Sequence, residues 1–147
     1  MSPPALPAAL SETFERYSTD VSRRLLQIRS LIFNTAANTP GVGVLTETLK
    51  WGEAAYLTAA SGSGTTIRLG TPKSAPDCCA VFVNCQTTLI SDFRSHFADD
   101  FIFEGNRALI IPARAPLPEG PLVLCLRAAL TYHLHKKQKA KAAVIKA

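Results

Sequence analysis

The chain has 147 residues, of which 47% are hydrophobic and 18% are charged, and its formal net charge is +5. A chain of this length can form one domain and bury roughly two thirds of the surface that its unfolded form exposes. Its apolar balance excludes an intrinsically disordered chain, because disordered segments combine few hydrophobic residues with many charges. The start lacks a signal peptide and no segment approaches eighteen consecutive apolar residues, which predicts a soluble, cytoplasmic protein.

The net positive charge is concentrated at the C-terminus. Residues 1–135 are neutral, and the excess comes from five lysines, namely Lys136, Lys137, Lys139, Lys141 and Lys146. Five charges on a flexible tail give only weak, salt-sensitive binding to nucleic acid or anionic lipid. We therefore expect residues 136–147 to form a flexible, lysine-rich tail, and we expect neither a specific nucleic-acid partner nor a membrane.

The four cysteines indicate reduced thiols. Cys78 and Cys79 are neighbours on a predicted strand and cannot easily form a disulfide with each other. Cys79 and Cys85 share a strand face but would lie about 20 Å apart at strand spacing, so they cannot bind one metal ion. Cys125 falls in an apolar run and is expected to be a small core residue.

The predicted elements begin with helices. Residues 1–8, which include three prolines, are expected to form a flexible arm, and a short helix follows at about 9–16. Residues 20–37 form an amphipathic helix capped by Ser18 or Thr19. Its apolar residues recur at three- and four-residue steps, at Val21, Leu25, Ile28, Leu31 and Ile32.

Antiparallel strands come next, because β-branched and aromatic runs alternate with glycine and proline. These runs are residues 46–51, 54–59, 65–70 and 78–84. Thr87 can cap a helix whose Leu89, Ile90, Phe93 and Phe97 form one stripe. Residues 101–104 and 107–111 then flank a Gly105-Asn106 hairpin turn.

The last predicted helix begins at Pro118 and is mostly buried. We expect it to lie across the sheet and to complete a single α+β domain over residues 9–135. The predicted architecture is an antiparallel sheet of about five to six strands, with the helices packed mainly on one face.

Ser61-Gly62-Ser63-Gly64 has the composition of a phosphate-binding loop, but a strand follows it instead of the required helix, which favours a hairpin loop. His133 and His135 lie about 200° apart around a helix and cannot share a metal. His133 falls on the apolar stripe, where a hydrogen-bonded core histidine is expected. Its alternative role, as a base beside Arg107, would make the protein an enzyme.

Polar side chains interrupt several strand-like segments and are candidates for a ligand-binding site. They are Lys50, Trp51, Arg68, Asn84, Gln86, Glu104, Asn106, Arg107 and His133. We expect a non-catalytic binding domain in which a concave sheet edge takes a small anionic or planar ligand or a partner peptide. Trp51 would stack on the ligand, while Arg68 and Arg107 would pair with carboxylate or phosphate oxygens.

The alternative explanation is structural. Trp51 would belong to the core, Arg68 and Arg107 would be exposed strand residues, and residues 104–107 would only form a hairpin turn.

Four segments together resemble the YdhG-like family of domains of unknown function. They are Glu47-Thr-Leu-Lys-Trp-Gly-Glu-Ala-Ala-Tyr56, Thr66-Ile-Arg-Leu69, Asn84-Cys-Gln-Thr87 and Phe103-Glu-Gly-Asn-Arg-Ala108. The resemblance covers residues 14–133 and implies a small, cytoplasmic, bacterial protein with one α+β domain. It leaves open whether the protein is a monomer or a homodimer.

Some relatives in that family are linked to frataxin-like iron handling, which implies an iron-binding alternative. The candidate ligands in this chain are Asp99, Asp100, Glu104 and His96. Iron favours oxygen ligands, and frataxin-type binding uses a ridge of exposed carboxylates. Here only Asp99 and Asp100 are adjacent among eleven acids, so no cofactor is expected, with iron as the alternative.

Overall fold

The computed structural model describes residues 3–146 and has the predicted α+β fold. Six strands form one antiparallel sheet in the order β1-β2-β3-β4-β6-β5. The strands are β1 (Thr46–Lys50), β2 (Glu53–Leu57), β3 (Ile67–Gly70), β4 (Cys78–Phe82), β5 (Ile102–Glu104) and β6 (Ala108–Pro112). The helices are α1 (Ala8–Glu15), α2 (Thr19–Ala37), α3 (Leu89–Phe97), α4 (Glu119–Leu130) and α5 (Tyr132–Lys146).

The helix α2 has the predicted cap. Ser18 precedes the helix in an extended conformation, and its hydroxyl accepts a hydrogen bond of 3.3 Å from the backbone N–H of Val21. Thr19 is instead the first helical residue. The cap satisfies one of the N–H groups that lack a partner in the first turn.

The hydrophobic core lies between the helices and one face of the sheet. Strand alternation sends every second side chain to this face, including Tyr56, Leu69, Val81 and Leu109, all of which are buried. They pack with the apolar stripes of the helices, as at Leu25 and Leu126. Cys79 and Cys125 are buried in the same cluster, and all four cysteines are free. The expected core position of Cys125 is confirmed.

The C-terminal part differs from the expected single helix and tail. The helix that was expected over residues 118–135 is divided at Thr131 into α4 and α5, and α5 continues to Lys146 through the segment expected to be a tail. Residues 1, 2 and 147, the ends of the expected arm and tail, lie outside the described residues.

Ser63 holds the junction of α4 and α5. Its hydroxyl donates to the carbonyl of Leu130 over 2.7 Å, while its own carbonyl accepts from the backbone N–H groups of His133 and Leu134. The backbone N–H of Thr65 also donates to the carbonyl of Ala129 over 2.9 Å. The Ser61–Gly64 segment is therefore a loop between strands, as predicted, and it supplies partners for a helix C-terminus and a helix N-terminus.

The N-terminal arm lies against the domain in its described part. The carbonyl of Pro4 accepts a 2.8 Å hydrogen bond from Arg29, and Leu6 packs on the core. None of the helices within residues 3–146 combines the length and the apolar character needed to span a bilayer.

Candidate functional site

The sheet face opposite the helices contains a hollow of about 850 Å³. Cross-strand pairing places three of its lining residues side by side, namely Arg68 on β3, Phe82 on β4 and Ala108 on β6. Phe82 stands within it and packs with Ala80 and Ala108 in a small apolar cluster separate from the main core.

Trp51 lies at the rim of this hollow in an unusual backbone conformation. Lys50 and Glu53 pair across the β1–β2 hairpin, and the two residues between them, Trp51 and Gly52, have φ values of 55° and 78°. A two-residue turn with positive φ at both positions favours asparagine and glycine, so tryptophan is strained there. The indole is 90% exposed. Trp51 is therefore not a core residue, which rules out that part of the structural alternative.

Two arginines flank Phe82 from opposite strands. The guanidinium carbon of Arg68 on β3 and that of Arg107, just before β6, each lie 5.8 Å from the centre of the Phe82 ring. At this distance both guanidinium groups are attracted to the face of the ring, and this attraction favours positions of the two side chains beside the hollow. Arg68 also forms a 3.6 Å ion pair with Glu53. Arg107 forms no ion pair with any residue that the structure describes.

Glu53 lies on the floor of the hollow. Its carboxylate occupies the space where a side chain on Gly70 would begin, so the glycine is needed for this position. Within residues 3–146 it accepts no hydrogen bond, and its one ion pair is with Arg68. Burial raises the pKa of Glu53 above its ordinary value, because desolvation outweighs the opposing attraction of Arg68 and Arg107.

Hydrogen bonds fix the wall of the hollow that is formed by the β3–β4 loop and the β5–β6 hairpin. The hydroxyl of Ser74 donates to the Glu104 carboxylate over 2.9 Å, which joins the β3–β4 loop to the β5–β6 hairpin. Arg94 of α3 donates to the carbonyl of Gly105 over 2.8 Å. Lys73, from the same loop as Ser74, adds a third cation to the lining.

Five of the nine residues predicted to bind a ligand line this hollow. They are Trp51, Arg68, Glu104, Asn106 and Arg107. They come from two hairpin turns and a central strand, so only the sheet register could bring them together. The hollow lies on the open face of the sheet and not at the predicted edge.

Lys50, Asn84, Gln86 and His133 are not part of the lining. Lys50 is exposed on edge strand β1. Asn84 and Gln86 follow the end of β4, where the carboxamide of Asn84 accepts from the backbone N–H of Gln86 in a local turn. His133 is exposed in the first turn of α5. Its expected core position is wrong, and it does not stand beside Arg107 in the lining.

The candidate iron ligands are not assembled into a site. Asp99 and Asp100 line a different depression from Glu104, and Nδ1 of His96 lies 2.9 Å from the carbonyl of Asp92 in its own helix. Across residues 3–146, no three His, Cys, Asp or Glu side chains are placed so that they could hold one metal ion. Among the described residues, the structure therefore does not bring the predicted set of four ligands together.

The lining residues that sequence reasoning missed include Glu53, Lys73, Phe82 and Cys85. Phe82 could have been found, because the apolar alternation of Cys79, Val81 and Val83 leaves residue 82 on the other face. Glu53 could not, since its position depends on the space above a glycine in a different strand.

The chain matches none of the protein-family models, curated proteins or solved structures with which we compared it. The resemblance to the YdhG-like family stays a prediction.

Proposed function

We propose that the chain is a non-catalytic binding module that holds a small anionic ligand with a planar group in the hollow on the open face of its sheet. The observation that carries this proposal is the position of Trp51. An indole that is 90% exposed and in a strained turn costs stability, and such strain is concentrated at functional positions.

The chemistry of the lining supports an anionic ligand. Arg107 is exposed and without an ion pair among the described residues, so its guanidinium can bind a carboxylate or phosphate through two parallel hydrogen bonds. Trp51 offers a flat apolar surface on which an aromatic or conjugated group can stack.

The size of the hollow favours a small molecule over a partner peptide. Its volume of about 850 Å³ falls in the usual range of small-molecule sites, which is roughly 300–1,000 Å³. Iron binding gains no support, because the candidate ligands lie apart.

A titration with benzoate tests this proposal. Trp51 is the one tryptophan of the chain, so its fluorescence reports occupancy of the hollow directly, and calorimetry gives an independent affinity. We expect saturable quenching at millimolar ligand. Arg107→Ala should weaken binding by about tenfold or more, as expected for a lost charge-assisted hydrogen-bond pair.

Arg23→Ala is the matched control, because Arg23 is exposed on α2, away from the hollow. It should leave the affinity unchanged. The proposal fails if benzoate and phenyl phosphate both leave the Trp51 signal unchanged, or if Arg23→Ala weakens binding as much as Arg107→Ala.

A further inference from the structure

The two arginines of the hollow are not equivalent. Arg68 is paired with Glu53 at 3.6 Å, whereas Arg107 has no ion pair within residues 3–146. A ligand anion bound to Arg68 would lie close to the Glu53 carboxylate, which is paired with Arg68 and occupies the space above Gly70. Arg107 is therefore the guanidinium that is open to a ligand.

The charges in the lining nearly cancel. Arg68, Lys73 and Arg107 contribute three positive charges, and Glu53 and Glu104 contribute two negative charges, which leaves +1. Glu104 lies at the wall and accepts a hydrogen bond from Ser74. Glu53 accepts none among the described residues and is half-buried. A second ligand charge near the floor would be repelled by a poorly solvated carboxylate.

We propose that Glu53 determines the ligand class of the hollow: by holding Arg68, its carboxylate selects planar monoanions, such as aromatic monocarboxylates, over dianions, such as aryl phosphates. This inference rests on the proposed function. It adds to that function the class of anion that binds. Proteins often achieve specificity by placing a like charge where the disfavoured ligand would bind.

Benzoate and phenyl phosphate form a matched pair of probes, because both carry one phenyl ring. At about pH 8 benzoate has one charge and phenyl phosphate has nearly two, since the second phosphate pKa is about 6. The measured quantity is the ratio of their dissociation constants, obtained from Trp51 fluorescence and calorimetry.

We expect the wild-type protein to bind benzoate more tightly than phenyl phosphate. Glu53→Gln should shift the ratio about tenfold or more towards phenyl phosphate, because it removes the repulsion between one carboxylate charge and the second ligand charge. Glu53→Asp keeps the charge but shortens the reach to Arg68, so it should shift the ratio less. Circular dichroism confirms that each variant is folded.

Glu104→Gln is the control, because it removes the same charge from the wall and not from the floor. It should shift the ratio by less than Glu53→Gln does. An equal shift in both variants, or no shift in Glu53→Gln, would overturn the inference. The proposed function would still stand in that case, provided that benzoate binding depended on Arg107. If neither probe bound to any variant, the proposed function itself would fail.

Discussion

Arg29 on α2 and Glu47 on β1 form a bidentate ion pair inside the protein. Nε of Arg29 lies 2.5 Å from Oε2 of Glu47, and Nη2 of Arg29 lies 2.9 Å from Oε1 of Glu47. Their side chains are 5% and 7% exposed. Arg29 also lies over the ring of Phe33 and donates to the carbonyl of Pro4. One guanidinium thus joins the edge strand, the long helix and the N-terminal arm.

We predict that Glu47→Ala lowers the free energy of unfolding by about 3–5 kcal/mol, because it leaves a buried guanidinium without its partner. Urea denaturation measures this change. Arg114→Ala is the comparison, since it removes an exposed ion pair with Asp20, and exposed pairs contribute little. Equal losses in the two variants would contradict this account of the Arg29–Glu47 pair.

Trp51→Asn should stabilise the protein and abolish stacking in the hollow. Asparagine followed by Gly52 suits a turn with positive φ at both positions, so relief of strain should raise the free energy of unfolding by about 1 kcal/mol. Benzoate affinity, measured by calorimetry, should fall at the same time. A loss of stability would show that the indole has structural contacts that its exposure does not suggest.

More of the fold than of the hollow could be predicted from the sequence. Local signals, such as Ser18 before an amphipathic run and glycine-bounded β-branched runs, are sufficient to place elements. The hollow depends on register between distant strands. The expected positions of Asn84 and Gln86 depended on strand alternation. β4 ends at Phe82 and the chain then turns, so this alternation does not continue to either residue.

The contacts at the junction of α4 and α5 predict which of two substitutions, at Ser63 or at Gly64, destabilises the protein more. Ser63→Ala should cost about 1–3 kcal/mol, because the carbonyl of Leu130 would lose a buried donor. Gly64→Ala should cost more, since a methyl group there would overlap backbone atoms of Ala129 and Leu130. Gly62→Ala provides the control for backbone strain alone: Gly62 has φ of 66° but open space around its Cβ position. Thermal denaturation of the three variants tests the order.

The cysteines should react with thiol reagents in a fixed order. Burial raises the pKa of Cys79 and of Cys125 to about 12, so both remain protonated and protected at about pH 8. Cys85 is exposed and lines the hollow, so it should react first, and benzoate should slow its reaction. Cys85→Ser should remove the fast phase. Fast modification of Cys125 in the folded protein would contradict its buried position.

The raised pKa of Glu53 predicts how stability changes with pH. When the folded-state pKa exceeds the unfolded value, the folded state binds more protons between the two values, so the free energy of unfolding falls as pH rises through that window. We expect the stability of the wild-type protein relative to Glu53→Gln to fall as the pH rises above the ordinary glutamate pKa of about 4.3 and then to level off. Urea denaturation over this range measures the difference, and a relative stability that rises with pH would mean that Arg68 and Arg107 dominate.

The alternation of β3 and β4 has an evolutionary consequence. On β3, Arg68 turns to the hollow while the next residue, Leu69, turns to the core, and on β4 the same separation holds for Phe82 and Val81. Mutations on the side of the hollow can therefore accumulate without repacking the interior. A lineage descended from this chain can change the lining of the hollow while retaining the same folded framework.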